Sequence, residues 1–451
     1  MKTQGVNMTQ GVIWKQMALF FFPILLGIFF QQLYATTDAI VVGRFAGANA
    51  LAAVDAANPV LRLALSVFIG LSTGATILIS QYYGANKNQE LSKTVHNAIT
   101  FALLAGVLVA LLLWLLSAQA LRWTSVPDDI FAGSLTYLQV IALAVPLSMV
   151  YNIATGILRA IGDSRRPFYF LIISNITNVI LDILFVAVFH LGIFGAAVAT
   201  LISQGLSAIL VILVLIRSEG PYQLKLKELK IEWEVMKKVI GIGFPLGFQA
   251  SMFPIANIIV QANINSYGTM AIAGSALNGK LDFIIWILMD AFAMTISTFS
   301  AQNYGARNYA RIMSGLKLTV CTSVAVLIIV SGALYFFAPF LTGVIVTDTA
   351  VADLGCRIIR YYAPYFFTYA IGDATGACIR GTGRTFRVMI LTIVGICVSR
   401  VFWIFVMVPT HPDLFFTLMI YPISWIFYST LQVINFFLAK KEIRQSLEAT
   451  A

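Results

Sequence analysis

Apolar residues in this chain come in long unbroken runs rather than in the alternation of strands or the narrow stripes of surface helices. Twelve such runs recur, at roughly 14–42, 50–80, 94–117, 132–158, 168–189, 192–216, 237–264, 271–301, 312–337, 358–379, 388–408 and 414–438. About 20 apolar residues are what a helix needs to cross about 30 Å of hydrocarbon, so the pattern predicts an all-α membrane protein with twelve transmembrane helices. The longest polar stretch, "RSEGPYQLKLKELKIEWEVMKK" from Arg217 to Lys238, divides the spans six and six. Its alternating charges and Gly220-Pro221 break predict a cytoplasmic surface linker with a short interfacial helix. The expected organisation is therefore residues 1–216, a linker at 217–238, and residues 239–451.

The polar positions inside the runs carry the chemistry. Six acidic residues fall within predicted helices: Asp38, Asp55, Asp182, Asp282, Asp290 and Asp373. A carboxylate at that depth costs a few kcal/mol or more, so each must face protein or water. Gln31, Tyr34 and Asp38 follow i, i+3, i+7 on the first helix, and Asn175, Asn178 and Asp182 repeat that spacing on the fifth. Each set forms one stripe ending in a carboxylate. Counting about 1.5 Å per residue puts Asp182 and Thr200 at a similar depth, roughly 10 to 12 Å below the outer surface. Asp38 lies near the outer end of its own helix, and the three can share a site. Two carboxylates in such a pocket cannot both stay ionised cheaply, so at least one holds a proton near neutrality unless a cation compensates. Oxygen ligands from carboxylates, amides and hydroxyls equally suit sodium. The competing reading is a structural polar cluster that ties helices together.

Composition agrees: 59% of residues are hydrophobic and 11% charged, against about 25% charged in a soluble domain. The net charge of +10 does not point to nucleic acid, because its distribution is topological. With a cytoplasmic amino terminus, 22 of the 29 basic residues, from Lys2 to Arg444, fall in inside segments. The positive-inside rule then places both termini in the cytoplasm. The first apolar run exceeds a 7–15-residue signal core, so the chain is expected to insert through its own first helix. Cys321, Cys356, Cys378 and Cys397 lack metal-ligand spacing and read as packing residues. His96, His190 and His411 fall at helix ends or loops, away from the intramembrane acids, so no enzyme constellation emerges. No cofactor is expected.

The halves are also alike. "QYYGANKN" at Gln81 and "QNYGARNY" at Gln302 stand 221 residues apart, as do Arg159 of "GILRAIGDS" and Arg380 of "ACIRGTGRT". Pro23 and Pro245, opening the first and seventh helices, are 222 apart. Because each half holds an even number of helices, this is a parallel duplication of the kind found in transporters with two bundles around a central site. Gly84, Gly162, Gly305 and Gly383 each follow a long helix and read as C-cap or turn positions. Arg159 and Arg380 read as helix-end anchors.

The stretch "QQLYATTDAIVVGRFAGANALAAV" from Gln31, the loops "SQYYGA" and "AQNYGA", and the paired "LRAIGD" and "IRGTGR" together resemble the bacterial type of the multidrug and toxic compound extrusion (MATE) family, over essentially the whole chain. The resemblance implies a V-shaped pair of six-helix bundles, acting as a monomer in the bacterial plasma membrane and in contact with its lipid. It implies export of small organic, often cationic compounds in exchange for protons or sodium ions. The family's amino-terminal cation site falls here on Asp38, Asn152, Asn178, Asp182 and Thr200, with sodium, if bound, at Asp38, Asn178, Asp182 and Thr200. Gln31 and Tyr34 would line the neighbouring cavity, and Pro23 would be the hinge of a first helix that bends as the site protonates. Another branch of the family carries an acid on the seventh helix, where this chain has Gln249.

In the second half, Gln249, Asp282, Asp290 and Asp373 are candidate substrate-cavity residues. Asp373 is the repeat-mate of Asn152, and its structural alternative is pairing with Arg400. Lys280 and Asp282, at i, i+2, do not share a helix face. The alternative transport function, a flippase for a lipid-linked precursor, favours a strongly basic cavity, whereas six intramembrane acids here face three bases, Arg62, Lys280 and Arg400. The expected topology has a direct test. A cysteine at Asn265 reacts with an impermeant thiol reagent added outside intact cells and one at Lys227 does not, and the reverse labelling inverts the orientation.

Overall fold

Hydrocarbon offers no partner for a bare peptide group, so a lipid-spanning chain of this composition satisfies its backbone within helices. The structure, a computed structural model, describes residues 5–448, and Lys2 lies outside them. Helices α1 (Ile13–Val41), α2 (Ala48–Gly84), α3 (Asn88–Trp123), α4 (Asp128–Ala160), α5 (Arg165–Asp182) and α6 (Gly192–Arg217) match the first six apolar runs. After the linker come α7 (Trp233–Asn265), α8 (Thr269–Leu281), α9 (Phe283–Gly305), α10 (Tyr309–Ile345), α11 (Thr349–Tyr362) and α12 (Phe366–Gly381). A helical run from α13 (Thr385–Thr392) through α14 (Ser399–Phe402) precedes α15 (Leu414–Leu418) and α16 (Ile420–Glu448).

Among the described residues, eleven helical segments are long and apolar enough to cross a membrane. The tenth predicted span, 358–379, is interrupted by a tight 3-10 turn at Ala363–Tyr365, where Pro364 has no N–H to donate to the helix ladder. The eighth, 271–301, breaks at Asp282 between α8 and α9. Helical geometry also loosens into π turns at Val42–Ala46 after α1, at Ile183–Val188 after α5, and at Ile393–Val398 and Trp403–Met407 on either side of α14.

The chain forms two compact units. The first runs from Ala18 to Gly247 with the segment ending at Met8, and the second from Phe248 onward with Thr9–Met17. The division thus falls inside α7 rather than at the expected linker, 217–238. In the first unit α4 packs on α2, α3 and α6. Val95, Ala98, Ile153, Ile157 and Leu215 fill one core, and Val42, Ala57, Leu138, Val186 and Ala197 fill another. Small polar residues join helices across these cores. Ser134 Oγ donates to Ala53 O at 3.0 Å and Ser174 Oγ to Ser203 O at 2.7 Å, the form of cross-helix bond that lipid favours. In the second unit α12 packs on α9, α10 and α16, and Gln432 Nε2 donates to Val388 O and Thr392 Oγ1, both at 3.2 Å. Arg311 Nη1 donates to Gly11 O at 2.8 Å, which holds the Thr9–Met17 segment to this unit.

The linker is less free than its composition implies. His96, buried on α3, accepts the Lys225 N–H at Nε2 (3.0 Å), while its Nδ1 faces Ser92 O at 2.7 Å. The imidazole thus bridges the linker backbone and its own helix. Tyr222 and Leu224 are buried, and between α6 and α7 the chain makes a single helical turn, Leu226–Glu228. On its outer side the Lys225 ammonium, 2.9 Å from Glu228, holds that carboxyl below its usual range.

The first half of α7 stays with the first unit because of four glycines. Gly70 and Gly74 of α2 meet Gly243 and Gly247 of α7 so closely that a Cβ on Gly70 would lie 2.0 Å from Gly247 N, and one on Gly74 2.5 Å from Gly243 Cα. Spacing small residues by four lets two backbones touch. The contact predicts opposite signs for one chemical change. Gly70→Ala overpacks the crossing and costs about 1–3 kcal/mol or more, seen as a lower melting temperature in detergent. Gly241→Ala, whose Cβ would meet nothing within 4 Å, is neutral or stabilising through helix propensity.

Candidate functional site

The two polar stripes meet. Asp182, fully buried at the end of α5, lies within hydrogen-bonding reach of the Asp38 carboxyl. Asn178, one turn earlier and equally buried, donates from Nδ2 to Asp182 Oδ2 while its Oδ1 accepts the Thr200 N–H at 3.2 Å. Tyr34 Oη stands 3.5 Å from Thr200 Oγ1. Asp38, Tyr34, Asn178, Asp182 and Thr200 therefore form one connected group from α1, α5 and α6. Both carboxyl-bearing helices turn π-helical just beyond their aspartates, a distortion found mostly at functional positions.

Two features give the group its chemistry. Neighbouring carboxyls repel when both are ionised, and they attract when they share a proton or a cation. Oδ1 of Asp38 and Oδ1 of Asp182 are buried and accept a hydrogen bond from no described residue. Buried polar atoms are normally partnered, so these two oxygens have acceptor capacity left over. The donor set of carboxylates, an amide oxygen and a hydroxyl fits a hard cation.

Asn152 and Gln31 are not in this group. Asn152 Nδ2 donates to Ser148 O of its own helix at 2.8 Å. Both residues line a cavity of about 320 Å³ with Pro23, Arg159, Asn175 and Gln204. Arg159 donates there to Thr155 Oγ1 at 3.4 Å.

In the second unit Asp373 pairs with Arg380 on its own helix at 3.4 Å, not with Arg400. Both side chains are largely buried, at 14% and 13% exposure, so Arg380 serves as an internal counter-charge and does not simply anchor a helix end. Asp290 lies within coulombic range of both. Asp282 occupies the α8–α9 break, receives a hydrogen bond from Asn278 Nδ2 at 3.3 Å, and lines a separate cavity with Arg400. Gln249 Oε1 is buried and accepts from no described residue. All four cysteines are free, three of them buried.

The profile of the MatE family matches residues 23–184 and again 245–406, taking in each half of the duplication in turn. The chain belongs to the MatE family. It is thus a multi-pass membrane protein of a family of multidrug efflux transporters. Among its relatives, the probable multidrug resistance protein YoeA of Bacillus subtilis is 27% identical over 392 residues, covering 85% of this chain and 84% of that protein. A solved structure described as MATE in the bent conformation superposes with a TM-score of 0.92 at 19% identity, covering 99% of this chain and 100% of the other. One described as the straight conformation gives 0.89 at 20% identity, covering 100% of both. At these identities the two structures establish the shared fold.

Sequence spacing missed several polar partners in this MatE chain. Tyr137, buried on α4, lies within coulombic range of Asp38, Tyr34 and Asp182, and only its place in an apolar run could have marked it. The Asp373–Arg380 pair sits at i, i+7, a separation that a long arginine side chain closes. This pair generates a stability prediction. Arg380→Met strands a buried carboxylate and costs about 3–5 kcal/mol, while the double variant with Asp373→Leu recovers most of the loss. Thermal melts in detergent check both, and equal melting of the single and double variants removes the pair from the account.

Proposed function

We propose that this MatE chain is a cation-coupled antiporter that exports small organic, often cationic compounds across the bacterial plasma membrane by alternating access. Protons or sodium ions are the coupling species, and both termini are cytoplasmic. The observation that carries the reading is the Asp38–Asp182 pair, two intramembrane carboxyls in mutual reach with Asn178, Thr200 and Tyr34 around them. Such a pair has two states of different charge, and a group costly when charged and cheap when neutralised shifts a conformational equilibrium as it binds or releases a cation.

Pro23 supplies the joint. It lies inside α1, fifteen residues before Asp38, and removes one backbone bond from the helix ladder. It also lines the cavity that holds Gln31 and Asn152, so a bend there changes that cavity as the carboxyls change state. Support from relatives is of the same kind: YoeA is named a probable multidrug resistance protein, and solved structures of the same fold are described as bent and as straight. Asn152 is placed at the cavity and not at the pair, so its proposed part is to line the route between compound and coupling site.

The test is transport. Purified protein in proteoliposomes, under an imposed pH or sodium gradient, is expected to drive efflux of a cationic dye such as ethidium. Asp182→Asn, which keeps shape and removes the titrating charge, is expected to lower that efflux at least about a hundredfold while the protein stays monodisperse. Undiminished efflux by the variant would sink the assignment.

A further inference from the structure

The second unit has a cavity that the duplication does not explain. It measures about 680 Å³, within the range of small-molecule sites. Of the residues that line it, Asp282 and Arg400 carry the charge, and Trp286, Tyr362, Tyr369, Tyr421 and Trp425 supply aromatic walls. The repeat-mates of Asp282 and Arg400, 221 residues earlier, are Leu61 and Val179, so the charges belong to this unit alone.

Helix geometry marks the same place. Asp282 is the break between α8 and α9, and Tyr362 is the last residue of α11 before the Ala363–Tyr365 interruption. In the first unit the corresponding stretches of α2 and α4 are unbroken. Discontinuous helices in transporters are tolerated where they line a cavity, and they form substrate sites there.

Arg400 is a buried charge with no ionic partner among the described residues. It is 4% exposed and lies between two π-helical turns. It donates to Asn257 Oδ1 and, at 3.3 Å, to Ser424 Oγ, and its guanidinium lies 4.6 Å from the Tyr421 ring centroid. No described carboxylate pairs with it, since Asp373 is taken by Arg380. Three of the five N–H groups of a guanidinium thus have no described acceptor. A buried, oriented fork beside aromatic rings suits a planar anion such as a carboxylate. Asp282, on the same cavity, suits an ammonium, and the rings suit a flat apolar body between them.

We propose that this cavity binds aromatic zwitterions, with the anionic group on Arg400 and the ammonium on Asp282. The inference rests on the transport reading only for the fate of the bound compound. Binding is therefore measured at equilibrium on purified protein without a gradient, so that failure here leaves the coupling proposal standing and failure of coupling leaves this one standing. The probes are Nε-dansyl-lysine, which carries both charges, its methyl ester, which lacks the carboxylate, and its Nα-acetyl derivative, which lacks the ammonium.

By dansyl fluorescence the wild type is expected to bind the ester and the acetyl derivative each about tenfold more weakly than the zwitterion, the loss of one charge-assisted contact. Arg400→Gln erases the preference over the ester, Arg400→Lys retains part of it, and Asp282→Asn erases the preference over the acetyl derivative. Equal affinity of the wild type for all three probes overturns the proposal, as does an Arg400→Gln protein that still discriminates against the ester. If Arg400→Gln does not fold, the wild-type series and Asp282→Asn decide it, and a retained preference over the acetyl derivative in Asp282→Asn counts against the site.

Discussion

Lipid cannot solvate a charge, and this one constraint orders the interior of the molecule. Each intramembrane carboxyl of the two polar groups has been given a companion, but the companions differ in kind. Asp373 faces a guanidinium, Arg380, and the pair is neutral as it stands. Asp38 faces another carboxyl, Asp182, and that pair is neutral only when something positive joins it. The duplication makes the contrast informative: where the second unit has Asp373 beside Arg380, the first has Asn152 with Arg159 turned to Thr155. The first unit carries its paired acids at the far ends of α1 and α5, with no base between them among the described residues. The second kept an acid and a base that answer to each other.

Irregular helix follows the charges. π turns come directly after Asp182, a few residues after Asp38 and on both sides of Arg400, and a full break falls at Asp282. Regular helix elsewhere satisfies every backbone group at no further cost, so distortion persists only where surrounding contacts hold it. At Asp38, Asp182, Asp282 and Arg400 an unusual side chain and an irregular backbone fall together, whereas Asp290 and the Asp373–Arg380 pair sit in regular helix.

Much of this was legible in the sequence. Long apolar runs located the helices, since hydrophobic length is read directly, although polar or charged ends such as that of α16 run on by up to about ten residues, and i, i+3, i+7 spacing put Asp38, Asn178 and Asp182 on stripes that do meet. The breaks at Asp282 and Ala363–Tyr365 escaped, because hydropathy averages over a window and a single turn barely changes it, although Pro364 was a visible signal. Arg380 was read as a helix-end anchor because counting residues gives the depth of a backbone, while an arginine reaches two turns along its helix. The linker's charge pattern predicts a surface segment with a short interfacial helix, yet two neighbouring buried side chains of α3, His96 and Asn97, accept backbone N–H groups from it and pin it to that helix. Specific tertiary hydrogen bonds of that kind leave no periodic trace.

The glycine crossing of α2 and α7 has a consequence for ion tightness. Any protein that moves solutes through a membrane must not leak between turnovers, and side chains that plug a path can flicker aside by rotamer hops in picoseconds to nanoseconds. Where Gly70 and Gly74 lie against Gly243 and Gly247, there is no side chain to hop. The backbones themselves make the contact, so it opens only when whole helices separate, on the microsecond-to-millisecond scale of collective motion.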